Sequence, residues 1–374
     1  MNKIYTYNGL NELAQYIPKN SGVFVIIDNN LKQYYKYFNM FNIIEIETCE
    51  NTKTLNTVQI IIEQLLEIGA DRDCFIMGVG GGITTDITGY VASIYKRGVK
   101  FGFVPTTLLA QVDASIGGKN GVNFHSYKNI IGTITQPQWI YECTSVLMTL
   151  NPKEFKAGIA EILKTFILFD ATYYNKAVAY FTELEEYLKE NKSYLMVTNK
   201  KSTPNKIYKQ EILTSIIEKC AKYKCGVVER DEFEKGERRL LNLGHTFAHA
   251  IEKLCGEQDN RENKGHIKIS SDAKFAIMHG EAVSIGMVIA AKIAEKLSPG
   301  SSNFSVQLKA DLINVGLPVK IPTNFSIHDL IQAIGKDKKV AGENIHFILP
   351  KGVGNVEDKS IPLNQLKEIS SDLC

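Results

Sequence analysis

The chain has 374 residues, 43 basic against 41 acidic, for a formal net charge of +2. That length suggests two domains, each able to bury a core, with a cleft between them. Near-neutral charge without a long basic block argues against nucleic acid or a membrane surface as a partner. No apolar stretch reaches the roughly 18 uncharged residues of a membrane span, and the polar start MNKIYTYNGLNELAQY lacks a signal peptide's pattern. A cytoplasmic protein is expected. The seven cysteines are scattered, never spaced as CxxC, and read as reduced thiols.

Taken in chain order, GVFVIIDN is a buried, β-branched strand ending in turn formers, TVQIIIEQLLEIGA has helical periodicity, and CFIMGV is a strand that ends in glycines. That alternation predicts an α/β, Rossmann-like nucleotide-binding domain over residues 1–150. Beyond Asn151 the strand signals fade, and KEFKAGIAEILKTFIL, ILTSIIEKCAKYKC and EAVSIGMVIAAKIAEKL carry apolar residues at helical spacing. A mainly α-helical domain is predicted over 151–374. Within it, residues 256–274 turn polar and read as an exposed loop.

Four groups of residues carry possible chemistry. Gly80, Gly81 and Gly82 lie between a strand and a helix, where backbone N–H groups approach a phosphate; they could equally make a tight turn, since this is not GxGxxG. Asp86, one turn on, could simply offset the helix dipole. Glu161 and Lys164 share a helix face, as a surface ion pair would. His245 and His249, four apart with Asn242 a turn earlier, suit a metal or a phosphate, or else a satisfied core. His279 precedes a strongly apolar helix. Glu161, His245 and His279 form a three-ligand set of the open, catalytic zinc type if they converge.

The run GVGGGITTDITGYVASIYKRGVKFGFVPTTLLAQVDASIGGKNGVNFHSYKNIIGTITQP, followed in order by AGIAEILK, VVERDEFEKGERRLLNLGHTFAHAIE, HGEAV and KDKKVAG, resembles the 3-dehydroquinate synthases, within the sugar-phosphate cyclases, from about Asp28 to Pro350. The resemblance implies NAD, a metal ion (Zn2+, with Co2+ possible), and a phosphorylated seven-carbon keto acid as substrate. It assigns Asp28, Asn30, Glu50 and Lys53 to the adenosine half of NAD, Gly81, Gly82 and Asp86 to its pyrophosphate and ribose, and Thr106 and Thr107 to the nicotinamide side. The metal falls to Glu161, His245 and His279. Substrate hydroxyls fall to Asp113, Asn242 and Lys164, its carboxylate to Lys224 and Arg238, and its phosphate to Lys119, Asn129, His249 and Lys338. Lys128 and Glu234 match further site positions. An arginine matching Arg97 reaches across from a neighbouring subunit, which implies a homodimer.

Three departures stand out. Thr85 replaces the family's usual glycine before Asp86, DASIGGKNG differs slightly from the usual serine- and threonine-containing version, and the stretch from His249 to His279 is longer than expected because of the polar loop containing His266, which reads as a loop histidine and not a ligand. Three other readings remain. A sister cyclase would use the same machinery. A dehydrogenase would lack VDASIGGKN and KDKK. A non-catalytic descendant would have lost charged site residues.

Overall fold

The computed structural model describes residues 3–19, 21–125, 127–191, 196–197, 206–262, 277–298, 303–338 and 344–370. Most of the polar loop and His266 therefore lie outside the described residues. The chain divides into two compact units, one of residues 1–158 with 193–233, the other of 159–192 with 234–374.

The first unit is built on strands β1 (Lys3–Tyr7), β2 (Val23–Asp28) and β3 (Asn42–Ile46), helix α1 (Leu55–Glu67), β4 (Phe75–Gly80), α2 (Gly82–Ile94) and β5 (Lys100–Pro105). A hairpin of β6 (Lys119–Phe124) and β7 (Tyr127–Ile134) precedes β8 (Trp139–Cys143). Six strands form one parallel sheet in the order β1-β8-β5-β4-β2-β3. Alternate side chains of β2 enter opposite layers. Phe24 and Ile26 pack with Val58, Ile61 and Leu65 of α1 and Ile87 and Val91 of α2, while Val23, Val25 and Ile27 pack with Leu13, Leu31 and Phe38. Burial on both faces explains why these strands read as continuous apolar runs and not as alternating ones. After β3 the chain returns to the other side of β2, so the order reverses between β2 and β4. In open α/β sheets, ligands bind at the carboxyl ends of strands at such a point, and there the chain places Asp28 and the glycines after β4.

Helix α3 (Pro152–Phe169) leads into the second unit, and α4 (Ala171–Asn191) follows. The short strands β9 (Met196–Val197) and β10 (Lys206–Ile207) and helix α5 (Gln210–Arg230) belong to the first unit. The second unit resumes with α6 (His245–Glu262), α7 (His279–Leu297), α8 (Phe304–Asn314) and α9 (Ile327–Lys338). It closes with a hairpin of β11 (Asn344–Gly352) and β12 (Asn355–Pro362), then α10 (Leu363–Ser370). The second unit is thus helical with a terminal hairpin, which packs against α7.

Two glycines set the spacing of α6 and α7. Gly244 has φ of +80°, a conformation open to glycine at little cost, and starts α6 at His245. Gly286 of α7 lies so close that a Cβ there would sit 2.0 Å from the Gly244 carbonyl oxygen. Because that neighbour is backbone, Gly286→Ala is expected to cost about 3 kcal/mol and to loosen zinc binding by moving His245. A urea midpoint and zinc affinity equal to those of the unchanged protein would contradict this.

No helix among the described residues is long and apolar enough to cross a membrane. Cys49, Cys74, Cys143, Cys220, Cys225 and Cys255 are free thiols.

Candidate active site

In the second unit, Glu161 projects from α3, His245 opens α6 and His279 opens α7. Each offers a ligand atom, and all three atoms lie within 4.8 Å of one another. The Nε2 atoms of His245 and His279 lie 3.7 and 3.5 Å from Glu161 Oε1. Ligands about 2.0–2.2 Å from a tetrahedral ion are separated by roughly 3.3–3.6 Å, so the spacing suits a divalent cation. Glu161 is fully buried, and neither of its oxygens accepts a well-directed hydrogen bond. Beside its ionic contacts with Lys164 and His279, a carboxylate so placed keeps lone pairs for a metal ion.

Lys164 touches Glu161 from the next turn of α3, and both are buried. This is an interior ion pair and not the exposed one its spacing alone would allow. Burial works against ionisation of Glu161, but Lys164 and the two histidines outweigh it and hold the carboxyl well below its ordinary value. Burial, then Lys164, pushes His245 down to about 3, so its ring stays neutral. Its Nδ1 lies 3.2 Å from the Leu243 carbonyl, which orients that nitrogen as donor and leaves the Nε2 lone pair on the cluster.

His279 is the opposite case. Burial opposes its charge, but Glu161 and Glu252 outweigh that and raise it to about 10 in the metal-free site. Its Nδ1 lies 3.6 Å from Glu252 Oε1. A metal must displace that proton, so between pH 6 and 8 zinc uptake is expected to release about one proton. The dissociation constant should fall about tenfold per pH unit across that range. Calorimetry in buffers of different ionisation enthalpy checks this, and a pH-independent affinity would contradict it.

His249 lies on the same helix, its ring centroid 5.6 Å from that of His245 and 6.5 Å from that of His279. Asn242 donates to Glu234 at 2.5 Å, and Glu234 sits at φ of +57°. Arg238 is buried nearby in sequence. Lys338 ends α9, and its side chain lies outside the described residues.

In the first unit, Asp28 accepts from Asn30 N and Nδ2, at 2.9 and 3.0 Å, and from Thr48 Oγ1 at 2.5 Å. Gly81 is the N-cap of α2 and offers no side chain to its first-turn N–H groups. A Cβ on Gly81 would come 2.9 Å from Thr107 Cγ2, and Thr106 N donates to Gly80 O at 2.8 Å, so both threonines line this turn. A bare helix end beside a close backbone turn fits a pyrophosphate. Lys53 is buried and contacts both Asp86 and Asn129 at 2.5 Å. Burial pushes Asp86 up to about 6, with Lys53 pulling the other way.

Asp113 lies in a five-residue π-helical turn, Ala110–Ala114, of a kind frequent at functional sites. Lys224 of α5 donates to its carbonyl and carboxylate oxygens, both at 2.6 Å. Lys119, Lys128 and Asn129 are exposed on the β6–β7 hairpin. Lys96 and Arg97 are exposed at positive φ, 47° and 70°.

Sequence reading passed over Glu252, Thr48 and Asn123. Glu252 was accessible in principle, seven residues after His245 and so on the same helix face. Thr48 and Asn123 act only through contacts made across the fold.

Comparison with known proteins accords with this geometry. The model of the 3-dehydroquinate synthase N-terminal region matches residues 43–157, and that of the C-terminal region matches 158–340. The 3-dehydroquinate synthase of Pyrococcus furiosus is 41% identical over 323 residues, 85% of this chain and 82% of the relative. That of Buchnera aphidicola is 38% identical over 305 residues, 82% and 75%, and that of Alkaliphilus metalliredigens 34% over 364 residues, 95% and 91%. Among solved structures, a 2-epi-5-epi-valiolone synthase from Streptomyces hygroscopicus with NAD+ and Zn2+ bound aligns with TM-score 0.79 at 21% identity, covering 99% of this chain and 95% of that one. A 2-deoxy-scyllo-inosose synthase complexed with carbaglucose-6-phosphate, NAD+ and Co2+ aligns with TM-score 0.74 at 24% identity, covering 98% and 95%. The chain belongs to the 3-dehydroquinate synthase family.

Proposed function

We propose that the protein converts 3-deoxy-D-arabino-heptulosonate 7-phosphate to 3-dehydroquinate and inorganic phosphate, with NAD restored in each turnover. The observation that carries this reading is the cluster of a buried Glu161 with half-buried His245 and His279 in a chain 34–41% identical to 3-dehydroquinate synthases. Glu161, His245 and His279 would hold a zinc or cobalt ion, and Asp28, Asn30, Glu50, Lys53, Gly81, Gly82, Asp86, Thr106 and Thr107 the nucleotide. When bound, the cation acidifies a coordinated hydroxyl and the nucleotide takes up and returns a hydride.

The chain's own side chains supply the rest. Lys164, beside Glu161, adds a buried positive charge that favours the ionised form of a substrate hydroxyl. Asp113, held by Lys224, and Asn242, held by Glu234, orient hydroxyls. Lys224 and Arg238 are largely buried cations, suited to a carboxylate whose charge needs a partner away from water. Lys119, Lys128 and Asn129 present donors to the departing phosphate, and His249 moves a proton at a ring nitrogen. Lys338 is assigned to the same phosphate. The exposed, left-handed turn bearing Arg97 serves the neighbouring subunit's site in a homodimer.

Comparing phosphate release from this heptulosonate phosphate, sedoheptulose 7-phosphate and glucose 6-phosphate tests the substrate. The reading requires turnover on the first. Turnover on either of the others alone would assign the chain to a sister cyclase.

A further inference from the structure

A two-stranded ribbon is marginal on its own in water, so the β6–β7 hairpin, with Lys119, Lys128 and Asn129 exposed on it, must be anchored. Its base is packed. Asn120 is buried, donates to Gly118 O and Thr135 O at 2.8 Å each, and fills the space over Gly89, where a Cβ would lie 1.9 Å from Asn120 Oδ1.

The tip is fastened to one short segment, residues 50–53. Asn123 N donates to Lys53 O and Asn123 Nδ2 to Glu50 Oε1, both at 2.8 Å. Asn123 Oδ1 in turn accepts from Asn129 N at 2.8 Å. Lys53 Nζ completes the ring by donating to Asn129 Oδ1 at 2.5 Å, and its other partner is Asp86 Oδ2 at 2.5 Å, in α2. An ammonium has three donors and no acceptor, and here two are spent on one carboxylate and one amide. Asn129 sits at φ of +53°, a conformation asparagine tolerates, which aims its amide oxygen at Lys53.

We infer that Lys53 is a positioning residue that joins the nucleotide's carboxylate, Asp86, to the hairpin bearing the phosphate-binding side chains, so that NAD occupancy orders the hairpin for the substrate. The inference rests on the NAD reading of the first unit. Ribose hydroxyls donating to Asp86 fix that carboxylate, the shared ammonium is fixed with it, and Asn129 follows. Coupling of this kind is reciprocal, and its usual size corresponds to roughly 5–150-fold in affinity. The substrate should therefore tighten NAD binding by the same factor by which NAD tightens substrate.

Amide hydrogen exchange of residues 119–134, with and without NAD+, tests the link alongside calorimetric NAD+ affinity. In the unchanged protein, NAD+ should slow exchange across the hairpin. In Asn129→Gly, which keeps the backbone conformation open and the Lys53–Asp86 pair intact, NAD+ should bind within about threefold of its normal affinity while hairpin exchange stays the same with or without it. In Lys53→Met the NAD+ effect should again vanish, with weaker NAD+ binding, and the KM for substrate should rise more than kcat falls. If NAD+ binds Asn129→Gly and still protects the hairpin as before, the link is wrong while the nucleotide reading stands. If NAD+ fails to bind the unchanged protein, the nucleotide reading falls and the link falls with it.

Discussion

His279→Ala should lose most bound zinc and at least about 10³-fold in turnover. Removing only an outer partner of a metal ligand typically costs about 10–100-fold in affinity or activity, and His279 is placed as a ligand itself. Two ligands would remain. Glu161 is buried beside Lys164, and His245 is the neutral ring of the pair. His279→Ala also removes the protonated ring that helps to neutralise Glu161 in the metal-free site, so Glu161 should be held less firmly ionised there. Metal content by atomic emission and phosphate release by a coupled assay check the two halves. Full zinc occupancy in the variant would show that another group is the third ligand.

Lys164→Met should have the second large effect, with a different signature. Taking one partner from a buried ion pair costs about 3–5 kcal/mol, because the other charge is left uncompensated. Here Glu161 would keep only the protonated His279 as a charged partner. The metal-free variant should therefore unfold at clearly lower urea than the unchanged protein, and zinc should recover most of the loss by supplying the missing positive charge. Turnover should still fall by about 10²–10³-fold with zinc present, because in the proposed reaction Lys164 would also meet a developing negative charge. Equal destabilisation with and without zinc would mean that Lys164 is a packing residue and not the electrostatic partner of Glu161.

These residues show how far the sequence could be read. The parallel sheet was legible because burial on both faces leaves uninterrupted apolar strands such as VFVIID and FIMGVG, which end in turn formers. The helices of the second unit were legible from periodicity. The terminal β11–β12 hairpin was not. It is antiparallel and half solvated, so the strand signal in NIHFILPKG is broken by charged and polar positions.

At the site, residue types and spacing brought forward Glu161, His245 and His279, but convergence depends on the approach of Gly286 to Gly244, a contact between residues 42 apart in sequence. No local pattern encodes that distance. Glu161 and Lys164 illustrate the converse. Spacing of three is equally consistent with a surface pair, and only the packing around α3 makes it an interior one. The tie from Lys53 to Asn129 spans 76 residues and joins a turn to a hairpin tip, neither of which carries a motif for it.

The most direct test of the central claim is turnover with zinc and far less NAD+ than substrate, following phosphate, dehydroquinate and absorbance at the NADH wavelength together. The cyclase reading predicts many equivalents of phosphate and of dehydroquinate per NAD+, in equal amounts, with no accumulating NADH. NADH formed in step with substrate consumed, and turnover that stops when NAD+ is exhausted, would contradict it and identify a dehydrogenase.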